Sequence, residues 1–179
     1  MATNLTPIYL HRWRAPGLTL VIGWPHQAAL LEMAARLALQ GPLRVIVGGA
    51  RFDAQQLARS VRRHTTRVDQ TLQRIQLARP FTCYQALTLL AHTAPNAPLL
   101  LLDMLDTFYD DNVSGPESVR LARQAAGHLR RLKQQVPVLV TLGATAVPAR
   151  RALIQIVQET ADHVAVYAPP AAPRQPTLF

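Results

Sequence analysis

Apolar runs of strand length alternate with helix-length amphipathic stretches from Leu18 to Tyr167, and this alternation constrains the fold more than any other feature of the chain. A strand covered on both faces is apolar throughout, and consecutive parallel strands need a crossover long enough for a helix. Strands are predicted at Leu18 to Gly23, Leu43 to Val47, Arg74 to Ala78, Pro98 to Asp103, Val136 to Thr141 and His163 to Tyr167, each mostly apolar on both faces. Helices are predicted near Gln27 to Leu39, Asp53 to His64, Thr82 to His92, Pro116 to Gln135 and Pro148 to Thr160. The expected fold class is α/β, a mostly parallel twisted sheet with helices on both faces.

The helices differ in how they should pack. The first is apolar nearly all round, from Ala28 to Ala38, and should lie centrally against the sheet. The second starts at the N-cap residue Asp53 and should bury Ala54, Leu57, Ala58 and Val61 while Arg59, Arg62 and Arg63 look outward. In the fourth, Val119, Ala122, Ala125, Ala126, Leu129 and Leu132 form the expected inner stripe, with Arg120, Arg123, Arg130 and Arg131 mainly outside.

At 179 residues the chain suits one domain: an N-terminal extension over 1–16, a core over 17–168 and a Pro- and Ala-rich tail over 169–179. No apolar stretch reaches membrane-spanning length and Met1 to Arg14 has no apolar signal core, so a soluble, cytoplasmic protein without membrane contact is expected. The one cysteine, Cys83, has neither a disulfide partner nor zinc-site spacing and should be a small buried apolar residue.

Several strings carry a resemblance. LLLLDMLDTFYDDNVSG is an apolar strand ending in Asp103 followed by a loop with aromatics and Ser-Gly; SVRLARQAAGHLRRL is a long basic helix, and it leads to the strand PVLVT. With RPFTCYQ at Arg79 to Gln85 and ARFDAQQL at Ala50 to Leu57, their order and spacing over Gly17 to Tyr167 resemble the core of the RecA/RadA strand-exchange recombinases. The resemblance implies a RecA-like P-loop NTPase fold.

It also shows what is missing. Phosphate binding in that class needs a GxxxxGK[ST] loop, whose amides cradle the phosphates, whose lysine neutralises them and whose hydroxyl holds magnesium. Here the place is taken by Gly23-Trp24-Pro25-His26-Gln27-Ala28-Ala29-Leu30, without the second glycine, the lysine or the hydroxyl. The glutamate that the family uses as base after the second strand is replaced by Gly49, and Leu142 and Gly143 stand where a γ-phosphate sensor is expected after the fifth. Asp103, a vestigial metal-side carboxylate, is what survives. Parts that act as a unit cannot be lost together without losing phosphoryl transfer. The chain is therefore expected to be no enzyme but a pseudo-ATPase with no cofactor, of the type of the bacterial proteins ImuA and SulA.

Nineteen basic residues against ten acidic give a formal net charge of +9, and all but Lys133 are arginine. Arginines beside phosphates release counterions and drive sequence-independent binding, although Arg-rich composition also arises without that use. Between Arg36 and Arg79 there are nine arginines and two acids, Asp53 and Asp69. Arg51, Arg59, Arg62, Arg63 and Arg67 are the candidate DNA contacts, with Arg150 and Arg151 as a second group. The two loops that place DNA in the family are altered: the first has Pro116 where a basic residue is expected, and the second is cut to a few residues between Thr141 and Pro148.

The chain ends Gln175-Pro176-Thr177-Leu178-Phe179, and a terminal QxxLF resembles the peptide by which bacterial proteins bind the replicative sliding clamp. Leu178 and Phe179 offer an apolar anchor and Gln175 a hydrogen-bonding group at the end of a cheap-to-leave-unfolded linker. Two functions follow. One is an accessory protein of recombination, repair or translesion synthesis, with DNA, the clamp, a recombinase or a translesion polymerase subunit as partner. The other is a protein-interaction module that regulates a recombinase or polymerase without touching DNA, with Pro7 to Leu10 available to pair with a neighbour's sheet edge. No Ser/His/Asp, Cys/His or paired-carboxylate arrangement stands out for a different chemistry.

Overall fold

A computed structural model describes residues 15–23, 27–49, 52–110, 112–143 and 151–166. In chain order the elements are β1 (Gly17–Ile22), α1 (Gln27–Gln40), β2 (Leu43–Val47), α2 (Ala54–Arg62), α3 (Val68–Gln73), β3 (Ile75–Ala78), α4 (Cys83–His92), β4 (Leu99–Leu102), a 3₁₀ turn (Met104–Phe108), α5 (Gly115–Lys133), β5 (Pro137–Leu142), α6 (Arg151–Gln158) and β6 (His163–Val166). The strands form one six-stranded sheet in the order β3-β2-β4-β5-β1-β6, and every pairing is parallel. The chain thus has an α/β fold.

Side-chain alternation along each strand divides the core into two layers. Leu18, Leu20, Ile46, Leu99, Leu101, Val138 and Val140 face α4, α5 and α6. Val21, Val45, Val47, Leu100, Leu102 and Leu139 face α1 and α2, with α3 adding Val68 and Leu72 at the margin. The four central strands are therefore apolar on both faces, as the sequence predicts, and the predicted strand positions hold to within a residue or two at each end.

Departures from the expected pattern have local causes. The edge strands β3 and β6 are partly exposed, with Leu77, Val164 and Val166 open to solvent, because each has a neighbour on one side alone among the described residues. Ala54, expected inside, is exposed at the start of α2, and the buried positions are Leu57, Ser60 and Val61. Ser60 tolerates burial because its Oγ accepts from Arg63 at 2.9 Å. The short helix α3 was not expected: its largely polar VDQTLQ has no sustained period, and contact with α1 and α2 holds it. Cys83 is buried as expected, and burial pushes its thiol up from the ordinary value. No described helix is long and apolar enough to cross a membrane.

Asp162 fastens the β1 end of the sheet. Its carboxylate accepts from the Leu18 amide and from Lys133 Nζ, both at 2.7 Å, and its own amide donates to the Leu18 carbonyl at 2.9 Å. Lys133 also donates to the Thr160 carbonyl at 2.8 Å, so one clip joins β1, α5 and the turn into β6.

Candidate functional site

In an open parallel sheet, ligands are held beyond the carboxyl ends of the strands. Here β5 alone separates β1, which ends before Gly23, from β4, which ends before Asp103. Asp103 has φ 50° and ψ 48°, the one left-handed non-glycine backbone among the described residues. Its amide donates to Thr141 Oγ1 at 3.0 Å, so a hydroxyl near the end of β5 anchors it.

The segment after β2 is pressed against this aspartate. A Cβ at Gly48 would lie 2.5 Å from the Asp103 carbonyl oxygen, and one at Gly49 would lie 2.9 Å from Asp106 Oδ2 and 3.0 Å from Asp103 Cβ. A side chain at the place of the expected catalytic glutamate would therefore press on Asp103 and on the movable carboxylate of Asp106. In the first turn of α1, Ala28 is exposed, Ala29 half-buried and Leu30 buried, and that turn offers no acidic side chain. Trp24, Pro25 and His26 lie outside the described residues, as do Asp111 and the 144–150 connection with Arg150. Among the described residues no group of three or more His, Cys, Asp or Glu is placed to hold a metal ion.

The basic candidates separate by what holds them. Asp53 caps α2, its Oδ1 accepting from the Gln56 amide at 2.9 Å, and so sets the rotation that turns Arg59 and Arg62 outward. Arg59 is two-thirds exposed, with one distant ion pair to Asp53 at 3.8 Å. Arg62 and the guanidinium of Arg67 are exposed and make no hydrogen bond or ion pair among the described residues. Arg63 differs: it donates to Glu32 Oε2 at 3.2 Å and to Ser60. Glu32 also receives Arg36 at 3.1 Å and a short contact from His64. Burial pushes the Glu32 carboxyl up, but these hydrogen bonds and the charges of His64 and Arg63 outweigh it and hold it below the usual range. Arg51 lies outside the described residues; Arg151 opens α6 and is exposed, away from α2.

Other arginines brace the fold. Arg74 donates to the Ala38 and Leu39 carbonyls at the end of α1, at 3.3 and 3.0 Å. Arg131 donates to the carbonyls of Leu90, Ala91 and Thr93 at the end of α4, at 3.1, 3.2 and 3.2 Å. A guanidinium at a helix C-terminus satisfies orphan carbonyls and meets the negative end of the dipole. Part of the basic composition is therefore structural.

A surface that the sequence did not single out lies between β3 and α4. Thr82 caps α4, its hydroxyl accepting from the Gln85 amide at 3.2 Å while Gln85 Oε1 accepts from the Phe81 amide at 2.8 Å. This reciprocal cap fixes Phe81 just before the helix and Tyr84 in its first turn, 75% and 51% exposed. They border an open cleft of about 550 Å³ with Ala78, Arg79, Pro80 and Leu89. The sequence signal was present in RPFTCYQ as two aromatics flanking a capping Thr, but exposure is not written in residue type. Gln175, Leu178 and Phe179 of the tail lie outside the described residues. No protein-family profile matches the chain, and no curated protein matches it either.

Proposed function

We propose that this chain is a non-catalytic RecA-like accessory protein of DNA recombination, repair or translesion synthesis that holds DNA phosphates through the arginines of α2 and its flanks. The observation that carries this reading is the division among the arginines. Arg59, Arg62 and Arg67 stand exposed with at most one distant internal partner, whereas Arg63, Arg74 and Arg131 are spent on the fold. Exposed, uncommitted guanidinium groups are those that phosphate contact requires. The pseudo-ATPase part draws on the missing lysine and hydroxyl at Ala29 and Leu30, and on Gly49 standing where a catalytic glutamate is expected. The QPTLF terminus, through Gln175, Leu178 and Phe179, supplies a sliding-clamp anchor in the same reading.

The test is fluorescence anisotropy of labelled DNA at low and physiological salt, with and without ATP. Binding should weaken steeply with salt, ignore ATP and fall in the R59A/R62A/R67A variant. The log–log salt slope of that variant should drop by about one unit per lost phosphate contact. Absence of binding even at low salt would overturn the reading.

The protein-interaction reading has its own observation: both sheet edges, β3 and β6, lack an outer neighbour among the described residues and expose Leu77, Val164 and Val166. Such edges invite strand addition. A partner held there would be insensitive to salt and to the arginine substitutions.

A further inference from the structure

The exposed pair Phe81 and Tyr84 has chemistry that phosphate contact does not use. We infer that this face is a base-stacking platform for single-stranded nucleic acid, an inference that rests on the DNA-binding reading and specifies the strand state it selects. Single strands are bound by combining cations along the backbone with aromatic faces on which unpaired bases stack. A duplex hides those faces.

Three features fit that occupant. Phe81 is three-quarters exposed, far beyond what an aromatic in a finished core shows, and Tyr84 is half exposed beside it. The Gln85–Thr82 cap holds the Phe81 backbone just before α4, and the Tyr84 ring is tethered by its hydroxyl, which donates to Glu117 Oε1 at 3.3 Å. Glu117 is in turn gripped by Arg120 through two bonds of 2.7 and 2.6 Å. Stacking on the tethered Tyr84 ring costs little ordering entropy.

Charge selects a polyanion over a basic or neutral peptide. The Arg79 guanidinium lies over one face of the Phe81 ring, 5.9 Å from its centroid, so positive charge stands beside a base stacked on the opposite face. Arg44 and His92 border the neighbouring groove that runs along β3 past Leu77. The acid nearest the pair, Glu117, is already neutralised by Arg120.

The experiment compares three labelled probes on the full chain: a 20-nucleotide thymidine strand, the same strand built of abasic units, and a 20-base-pair duplex. The wild type should bind the intact strand on the order of tenfold tighter than the abasic one, since each stacked base contributes at about that level. F81A/Y84A should lose this margin and leave abasic and duplex affinities and the salt slope unchanged. Y84F, which keeps the ring and loses only the hydroxyl, should retain most of the margin and guards against a folding artefact. Wild-type DNA binding with equal affinity for intact and abasic strands, or a margin unaffected by F81A/Y84A, would overturn this inference alone and give the face to a protein partner. No DNA binding by the wild type would overturn the DNA-binding reading with it.

Discussion

At Gly48 a side chain has nowhere to go, because the nearest obstacle is the Asp103 carbonyl 2.5 Å from where a Cβ would stand, and backbone does not swing aside as a flexible side chain does. Gly48→Ala should therefore destabilise the fold by about 2 kcal/mol. Urea denaturation would register this as a lower midpoint with an unchanged slope; an unchanged midpoint would show that the β2 and β4 ends are looser than described. Gly49 differs: the nearest obstacle to a Cβ there is the Asp106 carboxylate at 2.9 Å, the far end of a flexible side chain, so a substitution is accommodated more readily than at Gly48. The sequence displays two adjacent glycines but not the neighbours that crowd them.

The sequence singled out Arg62 and its neighbours as candidate contacts and assigned no role to Arg74 or Arg131; helices and their caps supply one. Arg131 closes the end of α4 with three carbonyls, and Arg74 closes the end of α1 with two. Arg62, on the outer face of α2, closes nothing among the described residues. Arg131→Ala should cost about 1–2 kcal/mol of stability and leave DNA affinity unchanged. Arg62→Ala should leave stability within about 0.5 kcal/mol and weaken DNA binding. Paired denaturation and anisotropy measurements on the two variants decide this, and loss of DNA affinity in the Arg131 variant without loss of stability would reverse the assignment. The helical period placed both residues outside the apolar stripe; which carbonyls lay within reach depended on where α4 ended relative to α5.

Across the whole molecule, a few carboxylates tie distant segments together and set its response to acid. Hydrogen bonds from Lys133 and the Leu18 amide hold the Asp162 carboxyl below its usual range, as His64 and Arg36 do for Glu32 against the effect of burial. Both groups thus bind their protons less readily in the folded chain than in the unfolded one. Their contribution is complete above the ordinary carboxyl values of 3.8 and 4.5 and is lost as pH falls through the lower folded values. His128, held below 6.5 by burial and then by the Arg131 charge, adds loss of the same sign as pH falls below that value. Denaturation midpoints should fall between about pH 5 and 3, and the fall should be shallower in E32Q/D162N. An identical acid slope in that variant would remove these two carboxylates as the cause.

The alternation of apolar runs and amphipathic stretches determined by itself that the chain is an α/β protein with parallel strands, because burial on both faces of a strand is a property of local composition. The same local logic located Asp53 as a cap and Cys83 as core. Tertiary structure alone decided the strand order, which strands stand at the edges, the closeness of Gly48 and Gly49 to Asp103 and Asp106, and which arginines brace helix ends and which stand exposed. It also decided that Phe81 and Tyr84 face solvent while Phe108, equally apolar, is buried. Those outcomes depend on distances between residues far apart in the chain, and a one-dimensional pattern carries no such distances.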